Sequence, residues 1–309
     1  MSFPAYARSV LGFNLLVILW GALVRATGSG AGCGRHWPLC NGVAVPQTTE
    51  TATLIEYGHR TSSGLALILV VVLWWWSRKA FGSGHRVRKT AAWSLGFIVI
   101  EALIGAGLVL LGLVGNNDSA ARAAYLALHL LNTFLLLAAL ALTAFWAVDQ
   151  SPLARPTRGA AFGLLLTGSL LILAVGMTGA IAALGDTLFP TASLAEGIRA
   201  DSDSTSHFLL RLRVFHPVLA LLTGVYLSVM VWLLARLRPA SLQSPWSRVL
   251  SSLLLVQLGV GLTNLLMLAP TALQIAHLLV ADLLWITMVI FGASALSAPP
   301  RDPAPLPVA

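Results

Sequence analysis

Long apolar runs alternate with short polar breaks along almost the entire chain. Eight stretches reach the length that a bilayer crossing needs, about 20 residues in a helix. They run roughly from Leu11 to Arg25, Leu54 to Trp76, Ala91 to Val114, Ala123 to Val148, Gly159 to Leu184, Phe208 to Ala235, Val249 to Leu268 and Thr271 to Leu296. The pattern predicts an all-α integral membrane protein with eight transmembrane helices. The last residues, 298–309, are rich in Pro and Ala and are expected to be a disordered tail.

Composition supports this reading. Of the 309 residues, 57% are hydrophobic and 10% charged, and the mean hydropathy is +0.84. A soluble domain would carry about 25% charged residues. The net charge of +8 raises the question of nucleic acid, but its distribution answers it. With the N-terminus inside, Arg8, Arg78, Lys79, Arg86, Arg88, Lys89, Arg155, Arg158, Arg236, Arg238, Arg248 and Arg301 are internal, 12 of the 19 basic residues. The positive-inside rule then puts both termini in the cytoplasm. These charges read as topology determinants and contacts with the lipid bilayer, and no nucleic-acid partner is expected. The first segment has no small-residue cleavage site after it, so it is expected to stay as a signal anchor. The lack of an Arg- and Ser-rich presequence favours a bacterial plasma membrane.

The second half of the chain repeats the first. His59 precedes Glu101 by 42 positions, and His216 precedes Gln257 by 41. Gly105 follows Glu101 by four residues, as Gly261 follows Gln257. His129 and His277 then close each unit. The expected architecture is two pseudo-symmetric four-helix bundles, residues 1–150 and 151–297, of like orientation. Within each unit the second and fourth helices run the same way, so His59 can face His129 and His216 can face His277. Each lies roughly 8–13 Å in from the outer end of its helix, at 1.5 Å per residue.

Ionisable groups at membrane depth mark function. One intramembrane histidine could be an interhelical hydrogen bond. Four at repeat-related positions, in two facing pairs without a cysteine partner, suit axial ligation of haem iron. His36, His85 and His207 fall in loops and read as ordinary surface residues.

The outer side of the first two segments is more specific. The run Gly21-Ala-Leu-Val-Arg-Ala-Thr-Gly-Ser-Gly30, then Cys33 and Cys40 around Trp37-Pro38, then Leu54-Ile-Glu-Tyr-Gly-His-Arg60 closely resembles the haem A synthase family. The resemblance covers nearly the whole chain. It implies an oxidoreductase that converts haem O to haem A, oxidising a ring methyl to a formyl through a hydroxylated intermediate, for terminal oxidase assembly. It implies a resident haem b cofactor at His216 and His277, the substrate haem at His59 and His129, and Glu56 as the acidic residue needed for activity. Haem O synthase becomes the expected supplier of substrate. Oxidase assembly factors and an oligomeric state are compatible with the resemblance.

Residue chemistry agrees at several points. Glu56 precedes His59 by three positions and shares its helix face. A carboxylate at the rim of a desolvated pocket can exchange protons with a substrate; the plain alternative is pairing with Arg60. Cys33 and Cys40, the only cysteines, lie in an outer loop where an oxidising compartment favours a disulfide, structural or redox-active. Some relatives carry a second cysteine pair after the fifth helix, which this chain lacks. The family usually has glutamine where Glu101 stands, so Glu101 is either a partner of an iron ligand or an acid doing the glutamine's packing job. Arg25, Arg60, Arg122, Arg211 and Arg213 gather at the outer helix ends, where they can hold haem propionates or snorkel to the interface. The rival function is a di-haem b-type membrane electron carrier. A haem transporter would need no Glu56.

Overall fold

The computed structural model describes residues 1–149, 151, 159–237 and 244–297. Arg155, Arg158, Arg238 and Arg301 of the expected internal basic set, and the tail from residue 298, lie outside the described residues. Among the described residues the chain is helical without strands. The long helices are α1 (Phe3–Ala26), α2 (Thr51–Ala80), α3 (Arg86–Leu110), α4 (Ala120–Trp146), α5 (Ala160–Leu188), α8 (Phe215–Leu237), α9 (Pro245–Leu266) and α10 (Thr271–Ala295). Two short ones lie between α5 and α8, namely α6 (Leu194–Ser202) and α7 (Phe208–Arg213). Eight spans, counting Phe208–Leu237 as one, are long and apolar enough to cross a membrane.

The spans match those expected, with differences that have local causes. Helix α1 starts eight residues earlier than the hydropathy indicated, because Pro4 is tolerated in a first turn and Phe3 and Tyr6 find aromatic partners in Trp76 and Phe81. The sixth span breaks at Val214, where Pro217 removes the amide that would bond the Arg213 carbonyl. Helix α6 was not anticipated. Its capping-box sequence, Ser193 with Glu196, was readable: Ser193 Oγ accepts from Glu196 N at 3.3 Å, and Glu196 Oε2 accepts from Ala192 N, one residue before the cap, at 3.0 Å.

Helix pairings recur between the halves. α1 packs on α2 as α5 packs on α7 and α8, and α3 packs on α4 as α9 packs on α10. The halves meet through α1, α4, α5 and α10. Their shared core includes Phe134, Leu137, Ile172, Trp285 and Met288. Trp285 Nε1 donates to the Phe134 carbonyl at 2.6 Å, and the two rings stack at 5.7 Å. This seam fixes the relative position of α4 and α10, which carry His129 and His277.

Candidate haem sites

The second histidine pair is the more closely defined. The His216 and His277 rings lie 6.2 Å apart, centre to centre. Two metal–imidazole bonds of about 2 Å, plus about 1 Å from each nitrogen to its ring centre, give roughly 6 Å. His216 Nδ1 is 3.2 Å from the Val175 carbonyl, so with the proton on Nδ1 it donates there and presents Nε2 to a metal, as ligating histidines usually do. The donor set and its spacing therefore fit a bis-imidazole haem. Among the described residues no group of three or more His, Cys, Asp or Glu could hold a bare metal ion.

Glycine makes these ring positions possible. A Cβ at Gly179 would meet His216 Cε1 at 2.9 Å, and one at Gly261 would meet His277 Cε1 at 2.9 Å. In the first half, a Cβ at Gly21 would meet His59 Cε1 at 3.0 Å. Three of the four imidazoles thus bring their Cε1 corner up against a glycine of the preceding long helix. The fourth differs: Gly105, the counterpart of Gly261, has no atom within 4 Å of its virtual Cβ.

His129 is held from another side. Its Nδ1 lies 3.4 Å from Glu101 Oε1, and the hydrogen bonds that Glu101 accepts come from Asn132 Nδ2 at 2.5 Å and from the Thr133 hydroxyl. In the second half, Gln257 Nε2 lies 3.3 Å from His277 Nε2. Among the described residues His59 Nδ1, His129 Nδ1 and His277 Nδ1 are buried with no hydrogen-bond partner, so Glu101 stands beside His129 Nδ1 without bonding it.

Glu56 is buried, and both of its oxygens are engaged. Oε2 accepts from the Cys33 amide at 2.7 Å, and Oε1 accepts from Arg60 Nη2 at 2.5 Å and Nε at 3.2 Å. Arg60 Nη1 reaches on to the carbonyls of His36 and Leu39, at 2.5 and 2.6 Å. Cys33 and Cys40 form a disulfide around those two residues. The expected i,i+4 pair is therefore real, and it clamps the disulfide loop onto the helix turn that precedes His59.

The arginines expected at the outer ends mostly have protein partners. Arg25 crosses between the halves, donating to the Ala183 carbonyl (2.7 Å) and Thr187 Oγ1 (2.8 Å) on α5 and to Gln274 Oε1 (2.8 Å) on α10. Arg122 ties down the carbonyls of Gly115 and Asn117. Arg213, three residues before His216 as Glu56 is before His59, bonds Asp186 and Asp201 at 2.8 and 2.6 Å. Charge at that repeat position is thus inverted between the halves. Arg211 is exposed. His85 and His207, read as surface residues, cap α3 and α7 by accepting from Val87 N and Leu209 N.

Sequence reasoning passed over Asp282. It is fully buried in α10, and neither carboxyl oxygen has a hydrogen-bond partner among the described residues. A lone acid inside an apolar segment was the available signal.

A family model described as "Cytochrome oxidase assembly protein", COX15-CtaA, matches residues 5–289. The chain belongs to this family. It is a multi-pass membrane protein of the COX15-CtaA type. It is 47% identical over 291 residues to a Thermus thermophilus protein named "Protoheme IX farnesyltransferase", covering 94% of this chain and 48% of that protein. The chain thus spans about half the length of that relative. A Bacillus cereus protein named "Heme A synthase" is 46% identical over 98 residues, 32% of each chain, and a Bacillus anthracis protein of the same name matches equally.

Proposed function

We propose that this COX15-CtaA member is a haem A synthase, an oxidoreductase that oxidises a ring methyl of haem O to the formyl of haem A through a hydroxylated intermediate, for terminal oxidase assembly. The observation that carries the proposal is the pair of facing imidazoles, 6.2 Å apart, each seated on a glycine of the preceding long helix. The family match and the haem A synthase relatives support the direction of the chemistry.

In this reading residues 151–297 form the bundle that keeps haem b, with His216 and His277 as its ligands. Haem b supplies one-electron redox chemistry when bound. Residues 1–150 form the substrate bundle, where His59 and His129 hold the iron of haem O. The Val175 carbonyl fixes the Nδ1 proton of His216. Glu56, one helix turn from His59, receives a proton at the rim of the substrate site. The Cys33 amide and Arg60 hold its carboxylate in place there. The loop closed by Cys33 and Cys40 covers this rim. The protein resides in a bacterial plasma membrane with both termini cytoplasmic, and a protohaem farnesyltransferase (haem O synthase) delivers its substrate. The name of the Thermus relative, twice as long as the matched region, supports that pairing.

Two alanine substitutions test the division of labour. His129→Ala is expected to keep haem b while leaving haem O unconverted. His277→Ala is expected to lose haem b. If His129→Ala converts haem O at the unaltered rate, the first bundle is not the substrate site.

A further inference from the structure

The two halves differ where their fourth helices meet the third. At the first site the group facing the histidine is a carboxylate, Glu101, with Oε1 at 3.4 Å from His129 Nδ1. At the second it is an amide, Gln257, whose Nε2 lies 3.3 Å from the other ring nitrogen, Nε2 of His277. The neighbours of each match that difference. Asn132 and Thr133, three and four residues beyond His129, both donate to Glu101. Asn132 Nδ2 also bonds the Phe97 carbonyl at 2.9 Å, one turn before Glu101 on α3. The corresponding residues beyond His277 are Val280 and Ala281, which have no side-chain donor. One site is therefore furnished to keep a carboxylate against its histidine, and the other is not.

We propose that Glu101 is a positioning residue that makes His129 a stronger iron ligand than His277, so that haem in the substrate bundle is held in a more electron-rich state than haem in the second bundle. Glu101 does not bond His129 Nδ1 in this structure, but at 3.4 Å it is the acceptor placed to take the Nδ1 proton once iron occupies Nε2. A carboxylate accepting there fixes the tautomer and raises the basicity of Nε2. A more basic axial ligand favours the oxidised iron and lowers its reduction potential. The Thr133 hydroxyl has one proton, shared between Glu101 and the His129 carbonyl at 2.9 Å, so Thr133 competes with His129 for Oε1. The proposal rests on the reading of His129 as a ligand of the substrate haem.

The test is redox titration of the full chain, purified in detergent and loaded with haem, with His129→Ala used to assign the component that belongs to the first bundle. Glu101→Gln retains one of the two acceptor oxygens that Asn132 and Thr133 use but loses the charge. It is expected to raise the potential of the first-bundle haem, to weaken haem binding there by about tenfold or more, and to leave the second component unmoved. Thr133→Val frees Oε1 for His129 and is expected to shift the same potential downward. If Glu101 serves only to join α3 to α4, the potential stays put in Glu101→Gln or both variants shift it the same way; either result overturns the proposal. Should Glu101→Gln not accumulate, Thr133→Val decides alone: a fall supports the proposal and no shift overturns it. If His129→Ala removes no haem component, the reading of the site fails and the proposal falls with it, whereas an unmoved potential overturns the proposal only.

Discussion

Replacing Gly261 with alanine separates the role of glycine in seating the imidazoles from its ordinary cost in a helix. The added Cβ would lie 2.9 Å from His277 Cε1, where ordinary contact begins at 3.4 Å, so the ring must retreat by about 0.5 Å. Overpacking of this kind costs about 1–3 kcal/mol. Alanine in a helix interior returns about 1 kcal/mol relative to glycine. The expected net loss of fold stability is therefore about 0–2 kcal/mol, which the protein survives. Ligand geometry is less forgiving, because a site tolerates only about 0.5 Å of displacement. Haem b affinity should fall about tenfold, equivalent to 1.4 kcal/mol. The repeat supplies its own control: Gly105→Ala adds a methyl where no atom lies within 4 Å, and it should stabilise the apoprotein by about 1 kcal/mol with haem b retained. Haem per protein, read from the absorption spectrum, and the thermal midpoint in detergent measure both. Full haem b in Gly261→Ala, or equal loss in Gly105→Ala, would refute the reasoning.

Other consequences concern the links around the sites. Asp282→Leu removes a buried carboxyl without a partner among the described residues and should raise stability by about 1–3 kcal/mol, seen as a higher thermal midpoint; a lower midpoint would mean that the carboxyl has a partner the fold depends on. Arg25→Leu deletes three hydrogen bonds between the halves and should cost about 4.5 kcal/mol or more, at about 1.5–3 kcal/mol for each bond to a charged group. Chemical denaturation checks this, and a loss below about 1 kcal/mol would refute it. Arg60→Met releases the His36 and Leu39 carbonyls and one side of Glu56; it should make the Cys33–Cys40 loop at least several-fold more sensitive to limited proteolysis, with unchanged sensitivity as the contrary result.

How much of this was legible in the sequence depended on whether the cause was local. Hydropathy located the eight spans because burial in lipid acts on every residue of a segment. His216 could be paired with His277 because a repeat carries register along with it. Glu56 and Arg60 were readable as one helix turn, but their grip on the loop carbonyls was not, since it depends on how residues 33–40 fold back. The capping box of α6 and the break caused by Pro217 were written in the chain and simply needed to be read. Arg25 had no such signal. Its partners Ala183, Thr187 and Gln274 are at least 158 positions away, and nothing in the local sequence distinguishes a guanidinium that bridges two halves from one that binds a propionate. The contrast between Glu101 and Gln257 was visible as a substitution within the repeat, while its meaning required Asn132 and Thr133 to be placed beside it.

The most direct test of the account is haem extraction and chromatography from a host that makes haem O and lacks haem A. With the intact chain expressed, the account predicts that haem A or its hydroxylated precursor appears, and that neither appears with His59→Ala or His129→Ala. Bound haem b with haem O left untouched by the intact chain would contradict it and favour a di-haem electron carrier.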